Sequence, residues 1–137
     1  MHKFDIKNIK KLDNPERRRT MPPEETLLKF KVEDNGTLLD VGCGIGYFTV
    51  PASKLLKNNS VIGIDIATEI LDFARERAKG INNIEFRTSE EYTFPVQSDS
   101  VTYVLISNVI HEVEDVARYF DEVKRVLKDD GYFLIID

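Results

Sequence analysis

The stretch from Leu38 to Val50, which reads Leu-Leu-Asp-Val-Gly-Cys-Gly-Ile-Gly-Tyr-Phe-Thr-Val, constrains the fold of this 137-residue chain most strongly. It opens with apolar residues that are typical of a strand buried on both faces. Glycines follow at alternate positions, and the apolar pattern then resumes at helical spacing. A strand that breaks into glycines and restarts as a helix indicates a nucleotide-binding turn, because glycine permits positive φ and close approach of a ligand to the backbone.

The spacing of the glycines distinguishes between two ligands. A dinucleotide fingerprint requires Gly-x-Gly-x-x-Gly, but here Gly46 comes one residue early and Tyr47 stands where the last glycine should be. Asp40 lies just before the first glycine, where a carboxylate disfavours a pyrophosphate and suits a cation. S-adenosylmethionine has no phosphate and carries a sulfonium and an ammonium group, so the pattern favours this cofactor over NAD. A tight strand–helix turn without a ligand is the alternative.

The segment Asp40-Val41-Gly42-Cys43-Gly44-Ile45-Gly46 resembles the first motif of the class I S-adenosylmethionine-dependent methyltransferases, and later segments are most similar to the small type 11 branch of that family. The resemblance extends from about Thr37 to Asp137. It implies an α/β fold, a three-layer Rossmann-like methyltransferase sandwich with a parallel sheet in the order 3-2-1-4-5 and right-handed crossovers. Strands six and seven of the family fold have no counterpart here, so we expect a sheet truncated after strand five.

Apolar periodicity predicts the individual elements. Strands are expected at Thr37–Val41, Val61–Ile64, Ile84–Arg87, Val101–Ile106 and Tyr132–Ile136, and helices at Tyr47–Lys57, at Thr68–Lys79 and from Glu114 onward. The run Asp129-Asp130-Gly131 is expected to form the turn before the last strand.

The sequence divides into a helical N-terminal arm or cap, residues 1–36, and a cofactor-binding methyltransferase domain, residues 37–137. Asn14-Pro15 is a helix-start signal, since a capping side chain precedes a proline in the first turn. A second short helix is expected from Glu24 to Phe30. The first 31 residues carry nine Lys and Arg against five Asp and Glu, whereas the remainder is acidic. An acidic body is a poor surface for nucleic acid.

Residues after the second and third predicted strands complete the expected cofactor site. Asp65 ends the second strand, where an acid in nucleotide-binding sheets accepts hydrogen bonds from both ribose hydroxyls. The alternative role for Asp65 is a helix N-cap, for which Thr68 is the better candidate. The resemblance implies that Ile66 packs on the adenine. The predicted cofactor-binding residues are Asp40, Gly42, Cys43, Gly44, Gly46, Asp65, Ile66, Ser89, Glu90 and Ser107.

The resemblance also implies an acid for the adenine amino group after the third strand. The usual Gly-Asp is replaced here by Thr88-Ser89-Glu90-Glu91. Glu90 is the preferred candidate and Ser89 the second, and a solvated acidic loop without a ligand role is the alternative. Cys43 belongs to the first motif and is interpreted as a small turn residue rather than a nucleophile.

The methyl-transfer centre is expected near Ser107 and Asn108, at the carboxyl end of the fourth strand, where open parallel sheets bind ligands. Val109-Ile110 differs from the Pro-Pro-aromatic run of many methyltransferases that act on planar amino groups, so methylation of DNA amino groups is disfavoured. His111 is a candidate general base, with a buried or capping histidine as the alternative. The run Arg17-Arg18-Arg19 is a candidate for holding an anionic substrate. No metal site is predicted.

The sequence therefore predicts an S-adenosylmethionine-dependent methyltransferase acting on a small-molecule acceptor. A non-catalytic S-adenosylmethionine-binding module that acts through a partner is the alternative, and an NAD-binding oxidoreductase is disfavoured by Gly46. One cysteine excludes an internal disulfide, and no apolar run approaches the ~20 residues of a membrane span. We therefore expect a cytoplasmic protein with no membrane attachment. The last strand would be an open edge, where a homodimer, a helix or the arm would cover unpaired backbone.

Overall fold

The computed structural model describes residues 9–107 and 110–136. Its helices are α1 (Ile9–Leu12), α2 (Pro15–Thr20), α3 (Pro23–Lys29), α4 (Thr49–Leu55), α5 (Thr68–Arg77) and α6 (Val116–Val126), with a 3₁₀ turn at Ile110–Glu112. Its strands are β1 (Leu38–Val41), β2 (Val61–Asp65), β3 (Ile84–Thr88), β4 (Val101–Ser107) and β5 (Leu127–Ile136). They form one parallel sheet in the order β3-β2-β1-β4-β5, which confirms the predicted strand order.

The central strands β1 and β4 are buried along their whole length, because helices cover both faces of the sheet. Successive side chains of a strand point to opposite faces. Leu39 and Val104 pack with residues of α6, whereas Leu38 and Leu105 pack with residues of α3 and α4. A third apolar cluster forms around Leu71 of α5. The three-layer Rossmann-like sandwich is therefore confirmed.

Strand register brings the carboxyl ends of β1, β2 and β4 to one edge of the sheet. Val41 at the end of β1 lies opposite Ile64 of β2 and Ile106 of β4, so the residues that follow these strands are neighbours. The chain continues from β1 to β2 on one side and later returns to β4 on the other. Open parallel sheets bind ligands at such a switch point, so the fold places the candidate site there.

The helix after the glycine turn is shorter than the predicted range 47–57. α4 ends at Leu55, where the side-chain amide of Asn83 donates hydrogen bonds to three backbone carbonyl groups at 3.0, 3.0 and 3.2 Å. Those carbonyl groups belong to Ser53, Leu56 and Asn59. The contacts satisfy acceptors that a further helical turn would otherwise have used, so a side chain distant in sequence sets the end of the helix.

The helix α5 begins at Thr68, as predicted, but its cap differs from the prediction. Thr68 is the first helical residue rather than the N-cap, and Ala67 occupies the cap position without a side-chain hydrogen bond. The carboxylate of Asp65 instead accepts a hydrogen bond from the Ala67 N–H at 3.0 Å. The helix ends at Arg77, two residues earlier than predicted, and the chain leaves it through Gly80 at φ +86°.

The last strand starts five residues before its predicted beginning at Tyr132. Leu127 pairs with Val101, and Tyr132 pairs with Tyr103, so four residues of β5 lie opposite one residue of β4. This bulge contains residues 129–131, which the sequence assigned to a turn. α6 therefore passes directly into β5, which is an outer strand of the described sheet.

The N-terminal arm packs against the glycine turn and α4. The Asn14 side chain accepts a hydrogen bond from the Arg17 N–H at 2.9 Å and caps α2, as predicted. The Tyr47 hydroxyl donates to the carbonyl of Met21 at 2.8 Å, and Leu27 of α3 is fully buried in the cluster beside α4. No helix among the described residues is long and apolar enough to cross a lipid bilayer.

Candidate cofactor-binding site

The glycine turn joins β1 to α4 in a conformation that glycine favours. Gly42, Gly44 and Gly46 have φ angles of +69°, +56° and +87°, in the left-handed region where a side chain would strain the backbone. Gly42 and Gly44 are partly exposed, whereas Cys43 and Gly46 are buried. The bare backbone that a ligand can approach is therefore that of Gly42 and Gly44.

Cys43 directs its side chain into the core. A Cβ placed on Gly63 of β2 would lie 3.0 Å from its Sγ, and burial raises the pKa of the thiol well above its usual value. The thiol is therefore not a nucleophile, and Cys43 offers a ligand only its backbone. Its N–H donates to the Ile64 carbonyl at 3.0 Å, and its carbonyl accepts from the Gly46 N–H at 3.0 Å.

Asp40 lies beneath the glycine turn with its side chain almost completely buried, at 1 % exposure. Its Oδ2 accepts a hydrogen bond from the Thr49 hydroxyl at 2.7 Å, but its Oδ1 has no hydrogen-bond partner in the described part of the chain. The pKa of Asp40 is raised to about 7, chiefly by burial; the hydrogen bond from Thr49 and the charge of Arg17 oppose the rise, and the charge of Asp65 adds to it. A buried acceptor without a partner is costly, so the site fits a ligand that brings an ammonium group.

Asp65 connects the two turns that border the crevice. Its Oδ2 accepts from the Gly44 N–H and its Oδ1 from the Ala67 N–H, each at 3.0 Å. Burial raises the pKa of the carboxyl, and these backbone hydrogen bonds oppose the shift. Each carboxylate oxygen has two lone pairs, so a ribose diol can still donate to the carboxylate. Asp65 is therefore not the N-cap of α5, which is Ala67, although it bonds the backbone just before the helix. The ribose role of Asp65 stays a prediction.

A narrow pocket lies beside Asp65, between the ends of β1 and β2 and the segment that follows β3. Its volume is about 10 Å³, about the space of one water molecule. Five predicted cofactor residues line it, namely Gly42, Asp65, Ile66, Ser89 and Glu90. The Ser89 hydroxyl donates within its own turn, to the carbonyl groups of Glu90 at 2.8 Å and Thr93 at 3.3 Å. The Ser89 hydroxyl therefore stabilises the turn in which it lies. The Glu90 side chain is exposed at the surface.

Two polar side chains of this pocket belong to residues that were not among the predicted site residues. Glu91 and Tyr119 line it, and the Glu91 Oε1 and the Tyr119 hydroxyl are both buried without a hydrogen-bond partner among the described residues. Burial, followed by the charges of Glu91 and Asp65, raises the pKa of Tyr119, so its hydroxyl keeps its proton. The sequence signal for Glu91 was its place beside Glu90, and that for Tyr119 was a hydroxyl within the apolar stripe of α6.

The loop after β3 forms one wall of the pocket and is hydrogen-bonded to an ion pair of α6, formed by Arg125 and Glu122, that the sequence did not predict. Arg125 donates to both oxygens of Glu122, at 2.6 and 2.7 Å, and to the carbonyl groups of Phe94 and Val96 at 3.0 and 3.1 Å. The Phe94 N–H in turn donates to Glu122. The loop after β3 is therefore held by charge-assisted hydrogen bonds, which are stronger than neutral ones.

The acceptor side of the site is described only in part. Ser107 is buried at the end of β4 and pairs in register with Ile136 of β5, at the edge where the methyl-transfer centre is predicted. Asn108 and the side chain of His111 lie outside the described residues. Among the residues described, no group of three or more His, Cys, Asp or Glu side chains is arranged to hold a metal ion.

The N-terminal arm contributes a positive charge near Asp40. The Arg17 guanidinium stacks over the Tyr47 ring at 3.9 Å and donates to the carbonyl of Leu12. Burial lowers the pKa of Arg17, and nearby groups that include Asp40 oppose the shift. Arg18 pairs with Asp13 and Arg19 pairs with Glu16, whereas Arg17 interacts electrostatically with Asp40.

Two larger cavities lie away from the crevice. One, of about 600 Å³, is at the amino ends of the strands and is lined by residues such as Thr37, Ser60 and Asn82. The other, of about 390 Å³, lies between the arm and α4. Neither contains Asp40 or Asp65. Because parallel sheets bind ligands at the carboxyl ends of their strands, we assign the site by its chemistry rather than by cavity size.

The fold and the site define a Rossmann-like α/β domain whose glycine turn is suited to a cationic nucleoside. The family described as "Methyltransferase domain" matches residues 32–137, and the chain belongs to this family. The cofactor of such methyltransferases is S-adenosylmethionine. The Asp40 Oδ1, which has no hydrogen-bond partner among the described residues, is an acceptor of the kind that an ammonium group requires.

Individual relatives agree with this assignment. An uncharacterized methyltransferase of Schizosaccharomyces pombe is 33% identical over 114 residues, 77% of this chain and 41% of that protein. The arsenite methyltransferase of Halobacterium salinarum is 34% identical over 104 residues, 74% of this chain and 27% of that protein. The crystal structure of a SAM-dependent methyltransferase from Aquifex aeolicus is similar with a TM-score of 0.90 and 34% identity, and covers 97% of this chain and 72% of that one. The chain spans less than half the length of the Schizosaccharomyces and Halobacterium proteins.

Proposed function

We propose that this domain binds S-adenosylmethionine and transfers its methyl group to a small-molecule acceptor. The observation that carries the proposal is the buried Asp40 carboxylate, whose Oδ1 lacks a partner among the described residues directly beneath a bare glycine turn. An ammonium group supplies the missing hydrogen bond, whereas a pyrophosphate would be repelled.

The residues of the chain position the cofactor. Asp40 accepts a hydrogen bond from the ammonium group of the cofactor, and Gly42 and Gly44 let its methionine part lie against the backbone. Asp65 accepts hydrogen bonds from the ribose hydroxyls, and Ile66 packs on the adenine. The cofactor supplies an activated sulfonium methyl. Positioning and exclusion of water can therefore account for most of the catalysis.

A small acceptor is supported by the charge of the chain and by one relative. The domain is acidic outside its arm, which disfavours nucleic acid, and the Halobacterium relative is named for arsenite. We propose that residues 1–36 act as a cap over residues 37–137, since Tyr47 bonds the arm through the Met21 carbonyl. His111 remains the candidate base for the acceptor.

The location and the partner are further parts of the proposal. A cytoplasmic location suits a chain whose single cysteine is buried and free. A second copy of the chain is the proposed partner, paired along β5, because the outer strand of a sheet has unpaired backbone groups.

A non-catalytic module that binds S-adenosylmethionine and acts through a partner is the second candidate. The outer strand β5 favours it, since a partner of any kind can pair there. Production of S-adenosylhomocysteine in the presence of a panel of small acceptors separates the two candidates. Binding without turnover across a broad panel would favour the module.

Titration calorimetry with S-adenosylhomocysteine tests the site. Asp65→Ala should lower the affinity roughly tenfold or more, because hydrogen bonds to a charged group contribute ~1.5–3 kcal/mol. Asp72→Ala is the matched control, since Asp72 is an exposed carboxylate of α5 that pairs with Arg75 at the surface. Absence of binding by the unaltered chain overturns the proposed function. Unchanged affinity in Asp65→Ala means that Asp65 serves only the two turns.

A further inference from the structure

We propose that residues 9–20, which comprise α1 and α2, form a strap that closes the entrance to the cofactor crevice, and that Asp13 holds this strap shut through Arg77 of α5. Release of the strap then controls how fast a nucleoside enters. The proposal rests on the proposed function, because the crevice that the strap closes is the proposed cofactor site.

Leu12 covers part of the glycine turn. Its side chain packs into the apolar cluster around Leu71, and its Cδ1 lies 3.9 Å from the point where a Cβ on Gly44 would stand. The Cδ1 of Ile70 lies 3.6 Å from the same point. These are contact distances, so the space on this side of Gly44 takes about one methyl group. The methionine part of the cofactor is larger, so Leu12 has to move before that part can lie against Gly44.

The strap is held less firmly than the rest of the arm. Neither α1 nor α2, as the structure describes them, contains a buried residue, whereas α3 buries Pro23 and Leu27. Leu27 is completely enclosed in the apolar cluster beside α4. Segments that bury few apolar side chains open at a lower free energy than the core. Residues 9–20 can therefore leave the body of the domain while α3 stays in place.

The Asp13 carboxylate joins the strap to α5. Within the strap it accepts two hydrogen bonds from the Arg18 guanidinium, each at 2.8 Å, and from α5 it accepts one from Arg77 at 2.7 Å. Its side chain is 14 % exposed. The hydrogen bond from Arg18, opposed by burial and supported by Arg77, holds the pKa of Asp13 below its usual value. The carboxylate is therefore charged at neutral pH, and each of these hydrogen bonds is charge-assisted.

A second contact marks the end of the strap. The Arg17 guanidinium stacks over the Tyr47 ring at 3.9 Å, while the Tyr47 hydroxyl donates to the carbonyl of Met21 at 2.8 Å. Met21 is therefore fixed to the body of the domain, and the hinge of the strap falls just before it. Hinges of this kind are a few residues at the ends of elements. Opening breaks the stack of Arg17 on Tyr47 but leaves the hydrogen bond to Met21.

The glycine turn itself is fixed, so the strap is the part that moves. The Gly44 N–H donates to the Asp65 carboxylate at 3.0 Å, which holds the turn in place. When a site is open for a fraction of the time, association slows in proportion to that fraction. A strap that closes again over the nucleoside slows dissociation as well. Loosening the bond between Asp13 and Arg77 should therefore raise both rates.

Limited digestion with trypsin, in the absence of ligand, measures release of the strap. Trypsin cuts after Lys and Arg, five of which lie in residues 9–20, and it cuts an opened segment faster than a docked one. Asp13→Asn and Arg77→Gln should each raise the cleavage rate of the strap roughly two- to fivefold, the effect of one partly exposed ion pair. Glu16→Gln is the matched control and should leave the rate unchanged, because Glu16 pairs with Arg19 inside α2.

Surface plasmon resonance with S-adenosylhomocysteine measures closure of the entrance. Asp13→Asn and Arg77→Gln should raise the association rate roughly two- to fivefold and should raise the dissociation rate as well. Leu12→Ala should also raise the association rate, because it uncovers Gly44. Glu16→Gln should associate at the rate of the unaltered chain.

Unchanged cleavage in Asp13→Asn and Arg77→Gln overturns the role of Asp13. Because the two residues lie on opposite sides of one bond, either variant decides the matter if the other fails to fold. Faster cleavage with an unchanged association rate means that the strap moves without closing the entrance, and overturns the closure. An equal increase in Glu16→Gln assigns the effect to fraying of α2 and also overturns it. Absence of binding by the unaltered chain overturns the proposed function, while the cleavage rates still decide whether Asp13 holds the strap.

Discussion

Asp40 links ligand binding to proton binding. Its carboxyl is buried, has one partner in Thr49, and has a pKa raised to about 7 mainly by burial. A carboxyl with this pKa is partly protonated at neutral pH. An approaching ammonium group favours the charged form and lowers the pKa, so binding releases a proton in this pH range.

The affinity for S-adenosylhomocysteine should therefore rise with pH and become level above about pH 8. Below pH 7 the ligand must first remove a proton from Asp40, at a cost of about tenfold in affinity per pH unit. Calorimetry from pH 5.5 to 8.5, in buffers with different ionisation enthalpies, measures both the affinity and the proton released.

Asp40→Asn is the control for this pH dependence, because an amide keeps the shape of the side chain without its titration. It should bind more weakly and show no change with pH in this range. The unaltered folded chain binds more protons at Asp40 than the unfolded chain between pH 4 and 7, so its stability falls as pH rises there. A pH-independent affinity in the unaltered chain would contradict the role of Asp40.

Sequence reasoning reached some site residues and missed others for a physical reason. Asp40, Gly44 and Asp65 sit at fixed distances from strand ends, so a local motif places them at the edge of the sheet. Glu91 lies in a loop without regular hydrogen bonding to the sheet. Glu91 shares its pocket with Tyr119, 28 positions away, and periodicity carries no information about that proximity.

At the scale of elements, the loop after β3 depends on α6. Arg125 holds Glu122 and two loop carbonyl groups at once, and its guanidinium keeps the pKa of Glu122 below its usual value. Because that pKa is depressed, the stabilisation is present above about pH 4.5 and is lost as pH falls through the pKa of the folded chain.

Arg125→Ala should lower the free energy of unfolding by about 2–3 kcal/mol at pH 7, because it leaves a buried carboxylate unpaired. Urea denaturation measures the change. Lys124→Ala, an exposed cation on the same helix, is the control and should change stability by less than about 0.5 kcal/mol. Equal effects of the two substitutions would show that the ion pair does not anchor the loop.

The ends of elements were harder to predict than their existence. The apolar alternation of β1 and β4 identifies them as buried strands, since both faces of the sheet need side chains of that kind. The end of α4 depends on a hydrogen bond from Asn83, which immediately precedes β3. The bulge in β5 depends on the pairing of β5 with β4. Such contacts are set by the whole fold and leave no local pattern.

At the scale of the whole molecule, β5 is one of the two outer strands of the described sheet, and the proposed pairing with a second copy uses it. Tyr132 and Ile135 are exposed by 59 % and 42 %, although Tyr132 stacks on Tyr103 at 5.9 Å. The strand order, by contrast, was predicted because the resemblance to the class I methyltransferases implies it, and right-handed crossovers are consistent with that order.

Sedimentation equilibrium should show concentration-dependent dimers of the chain. Ile135→Lys should weaken them, because a charge on an edge strand opposes pairing with another strand. Leu28→Lys, which replaces an exposed apolar residue of α3, is the control and should leave the equilibrium unchanged. A monomer at all concentrations, or equal effects of both substitutions, would contradict pairing through β5.

The bonds from Asp65 to Gly44 and Ala67 have a consequence for the energetics of recognition. They are intramolecular, so the glycine turn has its shape before any nucleoside arrives. Little backbone freedom then remains to be lost on complex formation, and more of the interaction energy appears as affinity. The amide hydrogen of Gly44 should accordingly exchange slowly with solvent even in the absence of ligand.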